Sequence, residues 1–224
     1  MRQLILDLMP ESSPSLDNFV VGGNGEALTG LAAWLSADNR ESSLFLCGDA
    51  GVGKTHLLLA CSARYCDGAI DPDLDGLGAA IEASLADGFF AVDHVDALSA
   101  DGQIVLFNAF NRLRAAGGRL LSAANLPPQQ LMLREDLRTR LGSGLIYRLH
   151  GLTDDEKIAA LAGHASIRGL RLPSEVLAYL LARAPRDMRS LTALLTALDR
   201  YSLEHKRPIT LPLVREVLHI PRVI

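Results

Sequence analysis

Aromatic residues make up 5% of this 224-residue chain and tryptophan occurs once, so any core it builds must be aliphatic. Cysteine is scarce as well. Cys47, Cys61 and Cys66 are odd in number and lack CxxC pairing, which removes the basis for a disulfide framework or a thiolate zinc site and predicts reduced cytosolic thiols. No apolar run approaches the ~18 residues that span a bilayer. The first residues, MRQLILDLMPESS, form too short and too acidic-flanked an apolar stretch for a secretory signal. A soluble, cytoplasmic protein with no membrane partner is expected. An excess of positive charge is also missing: 22 Lys and Arg stand against 26 Asp and Glu, for a net charge of −4 and a pI near 5.8. That argues against a surface dedicated to gripping phosphodiester, whose affinity rests on clustered cations, and leaves room only for a local basic patch.

The chain is rich in aliphatic residues. A hydrophobic share of 49% and a mean hydropathy of +0.19 exclude a disordered chain, and the length fits one α/β unit or one domain plus a small second one. Residues 1–9 read as a separate N-terminal peptide, and 10–18, with two prolines and three serines, as a linker. Helical spacing of Leu28, Leu31, Ala32 and Leu35 predicts an amphipathic helix over 24–35. Short continuous apolar runs follow at 43–47 (SLFLC), 89–93 (FFAVD), 119–125 (RLLSAAN) and 145–149 (LIYRL), the pattern of strands buried on both faces. Between them lie helical patterns, THLLLACSARY at 55–65 and IVLFNAFNRLRAA before the stop pair Gly117 and Gly118. Alternation of strand and helix predicts a parallel sheet flanked by helices over 19–150. From 151 to 224 only helical patterns remain. A capping box at Thr153 and Glu156, a start at Ser174, and later starts at Asp187 and Thr210 predict a small all-helical domain.

Residues 48–55, Gly48, Asp49, Ala50, Gly51, Val52, Gly53, Lys54 and Thr55, fit the P-loop pattern G-x-x-x-x-G-K-[ST] between a predicted strand and a predicted helix that continues with His56. Glycines let backbone N–H groups close around a β-phosphate, and the following helix N-terminus adds positive potential. Lys54 then bridges β- and γ-phosphates and Thr55 offers its hydroxyl to Mg²⁺. The strand at 89–93 ends in Asp93, a carboxylate suited to the metal's water shell. At the next position, where many P-loop ATPases carry a second acid, stands His94, a poorer base or simply a turn residue. Asp96 lies beyond the strand end. Slow hydrolysis by the chain itself is expected.

The ordered segments 16–22 (LDNFVVG), 48–58 (GDAGVGKTHLL), 91–98 (AVDHVDAL), 120–128 (LLSAANLPP), 136–149 (DLRTRLGSGLIYRL) and 184–191 (APRDMRSL) resemble the DnaA-type branch of the AAA+ ATPases. The resemblance covers nearly the whole chain and implies an AAA+ α/β domain followed by a helical lid. It also implies roles that spacing does not supply. Asn125 matches sensor I and Arg140 the arginine finger presented to a neighbour's nucleotide; Arg186 matches sensor II, and the segment Phe19, Val20, Val21 and Gly22 walls the adenine. Arg138 and Arg189 are the neighbouring candidates for the two arginines. The sequence departs from the family at 66–88, where the usual second strand is reduced to Ala69 and Ile70, and it stops where the lid stops, with no DNA-reading segment. Contact with DNA is therefore expected to be indirect.

Gln3, Leu4, Leu6 and Leu8 resemble a sliding-clamp-binding peptide: alternate side chains of an extended segment enter apolar pockets while Gln3 hydrogen-bonds at the far end. An edge strand or helix start would give the same alternation. Together these features resemble the regulatory members of the DnaA branch. They imply a protein that binds ADP or ATP with Mg²⁺, in which ADP holds base and lid in a competent arrangement. Its implied partners are the DNA polymerase III sliding clamp, DNA through that clamp, and the initiator DnaA, whose ATP hydrolysis it stimulates through Arg140; self-association into a homo-oligomer stays open. The alternatives are a DNA-remodelling or helicase-loading ATPase that turns over ATP itself, and an interaction module with a structural ADP site.

Overall fold

The computed structural model describes residues 13–36, 38–62, 64–83, 88–185 and 187–218. The chain divides into two units, Met1–His150 and Gly151–Ile224. In the first, five parallel strands run in the order β2-β3-β4-β1-β5: β1 (Ser43–Cys47), β2 (Tyr65–Asp67), β3 (Phe89–Asp93), β4 (Arg119–Ala124) and β5 (Leu145–Arg148). Their apolar runs are continuous because successive side chains serve different cores. Phe45, Cys47, Phe90, Val92, Leu120 and Ala124 face a core shared with α3 (Leu77–Ala83), α4 (Ala100–Ala116) and α5 (Glu135–Leu141). Leu44, Leu46, Ala91, Leu121 and Ala123 face the other core, with α1 (Gly25–Leu35) and α2 (Lys54–Cys61). Aliphatic residues supply most of both, and Trp34 is fully buried with its indole N–H donated to Glu41 O at 2.8 Å.

Two expectations fail at one place. Helix α2 ends at Cys61 instead of running through Tyr65, and the second strand is Tyr65–Asp67, not Ala69 and Ile70. The cause is local: Ser62 adopts extended backbone and its hydroxyl donates to Phe89 O at 3.1 Å, which brings the chain to the sheet edge early. Gly68 N–H then bonds Asp93 O, and a turn from Asp67 leaves Ile70 exposed.

The second unit contains α6 (Asp154–Ile167), α7 (Ser174–Arg183), α8 (Met188–His205) and α9 (Leu211–Leu218). Thr153 and Glu156 form the reciprocal capping box, and Asp187 caps α8 by accepting from Ser190 N at 2.8 Å. Burial raises the Asp187 pKa, but the hydrogen bonds from Ser190 outweigh it and the carboxyl sits below its ordinary value. The helices close over Leu161, Leu177, Leu181, Leu191 and Leu195 on one side, and over Val176, Leu180, Leu198, Leu213 and Val217 on the other. Among the described residues no helix is long and apolar enough to cross a membrane.

Candidate nucleotide site

The strand order decides which loops meet. Because β1 lies beside β4, the P-loop after Cys47 stands next to Asn125, the residue that follows β4. Gly48 N–H bonds Asn125 O at 3.3 Å. The loop can take its shape only with glycine at the critical points. At Gly48, φ is +150° and a Cβ would come within 2.4 Å of Leu149 O; at Gly53, φ is +102° and a Cβ would strike the Phe19 ring at 2.6 Å.

Lys54 is 6% exposed. Its ammonium spends its donors on Gly48 O at 2.7 Å, Asp49 O at 2.9 Å and Asn125 Oδ1 at 3.1 Å. Burial lowers its pKa, opposed by the carboxylates of Asp93, Asp96 and Asp49. At the next residue, Thr55 donates its hydroxyl to Asp93 Oδ2 at 2.6 Å. Asp93 is fully buried, which a carboxylate tolerates only with donors around it. Besides Thr55 it accepts from His94 N–H at 2.9 Å and from the Tyr65 hydroxyl at 3.2 Å. The Tyr65 pKa is pushed up, by burial first and then by Asp93 and Asp67.

His94 takes a left-handed backbone, φ 48°, and its Nδ1 lies 2.8 Å from Asp67 Oδ1. A carboxylate only accepts, so Nδ1 carries the proton in that bond. The position after Asp93 thus holds an imidazole engaged toward β2. Asp96 sits in the 3-10 turn Val95–Ala97 past the strand.

Upstream, Phe19 covers Gly53 and meets the His56 ring at 5.5 Å between centroids, while His56 Nε2 donates to Ser15 O at 2.9 Å. Val20, Val21 and Gly22 lead from there into a 3-10 turn, with Val21 exposed. On α5, Leu137 and Leu141 are the buried faces, so Arg138 and Arg140 lie off the core and are half-buried. Among the described residues neither guanidinium has a hydrogen-bond or ion-pair partner. Arg186, and the peptide carrying Gln3, Leu4, Leu6 and Leu8, lie outside the described residues. The three thiols are free, and burial raises the pKa of each, that of Cys61 to about 11, which suppresses thiolate chemistry.

Tyr65, Asp67 and Asn24 escape sequence reasoning. Asn24 reads as a helix start, yet its side chain makes no cap; it donates to His150 O at 2.9 Å and accepts from His150 N at 2.7 Å across 126 residues. A lone tyrosine and aspartate flanking one cysteine likewise carry no signal until β2 is paired with β3.

Chemically, a buried ammonium, a helix N-terminus and a hydroxyl against a carboxylate suit a polyphosphate with a divalent cation. No three His, Cys, Asp or Glu among the described residues form a metal cage. A Mg²⁺ held by Thr55 and Asp93 would complete its shell with phosphate oxygens and water, as that ion commonly does.

The chain is similar in structure to domain III of the replication initiation protein DnaA from Thermotoga maritima, at 23% identity and TM-score 0.75, over 94% of this chain and 98% of that one. AMPPCP-bound DnaA from Aquifex aeolicus matches at 22% identity and TM-score 0.69, over 86% and 67% of the two chains. The Thermotoga maritima RuvB Holliday junction branch migration motor matches at 20% and TM-score 0.70, over 92% and 72%. The fold is that of the AAA+ P-loop proteins, a parallel sheet flanked by helices and followed by a helical lid. Within that fold, residues 154–218 match the family model of the Hda lid domain.

Proposed function

We propose that this protein is a negative regulator of DNA replication initiation: a nucleotide-binding AAA+ protein that binds the DNA-loaded sliding clamp and stimulates ATP hydrolysis by the initiator DnaA. The observation that carries the reading is an Hda-type lid on a chain whose Lys54–Asn125 and Thr55–Asp93 pairs are already assembled. Lys54 exchanges its loop carbonyls for β- and γ-phosphate oxygens, with Asn125 beside it to sense the γ-phosphate. Gly48 to Gly53 supply backbone donors and Val20 to Gly22 wall the base. Arg186 takes the sensor II role that the family resemblance implies for it. Thr55 and Asp93 would hold Mg²⁺, which would supply positive charge to offset that of the phosphates. Hydrolysis by the chain alone is slow, because the residue after Asp93 is an imidazole engaged by Asp67 and not a free carboxylate.

Arg140 is inserted in trans against the ATP of DnaA. A finger of this kind is worth ~10³ to 10⁵ in rate because it neutralises charge developing on the transferred phosphoryl group. Gln3, Leu4, Leu6 and Leu8 tether the protein to the clamp, and the tether raises effective concentration so that a weak contact suffices. ATP hydrolysis by purified DnaA on clamp-loaded DNA, with and without this protein, is the test. Stimulation is expected; Arg140→Ala removes it while clamp and nucleotide binding persist, and Gln3→Ala removes clamp recruitment alone. Stimulation that survives both substitutions overturns the mechanism. Vigorous turnover by the protein without DnaA favours an independent remodelling or helicase-loading ATPase.

A further inference from the structure

Parallel strands β2 and β3 place Asp67 directly beside Asp93. Like charges at paired positions repel, and Asp93 is wholly buried, so the pair persists only if donors separate the two carboxylates. Two residues supply them. His94 gives its backbone N–H to Asp93 Oδ1 and its ring Nδ1–H to Asp67 Oδ1, at 2.9 and 2.8 Å. Tyr65 stands two residues before Asp67 on the same face of β2, with its ring packed against the α1–α2 core. Its hydroxyl lies 3.2 Å from Asp93 Oδ2 and 3.4 Å from Asp67 Oδ2. Asp93 Oδ2 is the same oxygen that accepts from Thr55. Packing alone does not explain a tyrosine here, since phenylalanine would fill the same apolar contacts; the hydroxyl has work only at the two carboxylates.

We infer that Tyr65 is a positioning residue for the nucleotide's Mg²⁺: from the edge strand, its hydroxyl holds the Asp93 carboxylate in the rotamer that faces Thr55. The inference rests on the nucleotide-site reading proposed above and deepens it. Tyr65 touches neither phosphate nor metal; it acts through Asp93, as hydrogen-bonding partners behind a metal ligand do. Loss of such a partner typically costs 10- to 100-fold in metal affinity. The edge strand thereby takes part in the site although its backbone lies three strands from the P-loop strand β1.

The test is calorimetric titration of the full chain with AMPPCP, once with Mg²⁺ and once with EDTA. The wild type is expected to bind in both and more tightly with Mg²⁺. Tyr65→Phe keeps the ring and is expected to lose about tenfold in affinity with Mg²⁺ while the EDTA value stays within about twofold. Asp67→Asn removes the competing acceptor and is expected to leave the Mg²⁺ effect at its wild-type size. An unchanged Mg²⁺ effect in Tyr65→Phe overturns the inference. So does an equal loss in both buffers, which marks a merely structural residue. A loss of the Mg²⁺ effect in Asp67→Asn as large as that in Tyr65→Phe overturns it too, because charge balance at the edge would then be the cause. Failure of the wild type to bind AMPPCP in either buffer brings down the nucleotide-site reading itself, and this inference with it.

Discussion

The two ends of the parallel sheet both tie charged side chains to backbone carbonyls, Lys54 buried at one and Arg119 half-buried at the other, with opposite kinds of partner. At the carboxyl ends of β1, β3 and β4, Lys54, Thr55, Asp93 and Asn125 satisfy one another and the loop that carries them. At the amino end of β4, Arg119 donates to Trp34 O at 2.7 Å, Ser36 O at 2.8 Å and Asn39 O at 3.1 Å, and its guanidinium lies over the Trp34 ring at 5.8 Å. Those carbonyls close the end of α1, where a helix has no donors of its own to offer. An anion arriving at Arg119 would strip donors from acceptors it cannot replace. A phosphate arriving at Lys54 displaces Asp49 O and Asn125 Oδ1, which belong to exposed residues that water can serve, and the buried Gly48 O. Charge that is satisfied is therefore not one condition but two: fixed where the partners are the ends of the fold, exchangeable where they are loop atoms and side chains at a strand's end.

The largest effect that separates the two ends is expected from Lys54→Ala. A charge-assisted hydrogen bond to phosphate is worth about 1.5–3 kcal/mol, so nucleotide affinity should fall by roughly 10- to 150-fold. Thermal unfolding should hardly move, since a buried cation whose pKa is lowered by burial contributes little to stability. Fluorescence titration and a melting curve on the same sample decide this. A large drop in melting temperature would place Lys54 among the fixed charges and break the contrast.

Arg119→Met is expected to give the reverse pattern. The methionine keeps apolar contact with Trp34 but takes the guanidinium donor from Trp34 O and Asn39 O, while Ser36 O keeps the Asn39 N–H, a cost of about 2 kcal/mol to unfolding stability in denaturant titration. Nucleotide affinity should remain within about twofold. A nucleotide effect as large as that of Lys54→Ala would mean that the two ends communicate through β4.

The exchangeable end was far more legible in the sequence than the fixed one. Lys54 and Thr55 are announced by a motif whose spacing is dictated by phosphate geometry, Asp93 by a carboxylate closing an apolar run, and Asn125 only by the family resemblance. The four long strands were readable because each is continuous and punctuated by turn residues. Strand β2 was not: YCD is three half-buried residues, polar at its end, and its membership in the sheet depends on a Ser62 bond to a strand 27 positions later. Arg119 was readable only as the first residue of a strand, because its partners lie 80 to 85 residues upstream. Tyr65 and Asn24 fail for the same reason. Local pattern reports what a residue does to its own backbone, and these side chains act on someone else's.

Between the two ends the sheet should be free of unmet polar groups, and Ser122 is the exception. It sits in the middle of β4, level with Phe45 of β1 and Val92 of β3, on the face that carries Leu120 and Ala124. It is 1% exposed, and its Oγ has no partner among the described residues. An unpaired hydroxyl in such a place costs about 1–3 kcal/mol, whereas removing one oxygen leaves little void. Ser122→Ala is accordingly expected to stabilise the protein by about 1 kcal/mol, a rise of about 2–4 °C in melting temperature for a domain of this size. Nucleotide affinity should not change, although Asn125 lies three residues further along the chain, just past the end of β4. A destabilised Ser122→Ala would mean that the hydroxyl is hydrogen-bonded in solution, and a weakened nucleotide complex would mean that the exchangeable end reaches deeper into the sheet than its hydrogen bonds indicate.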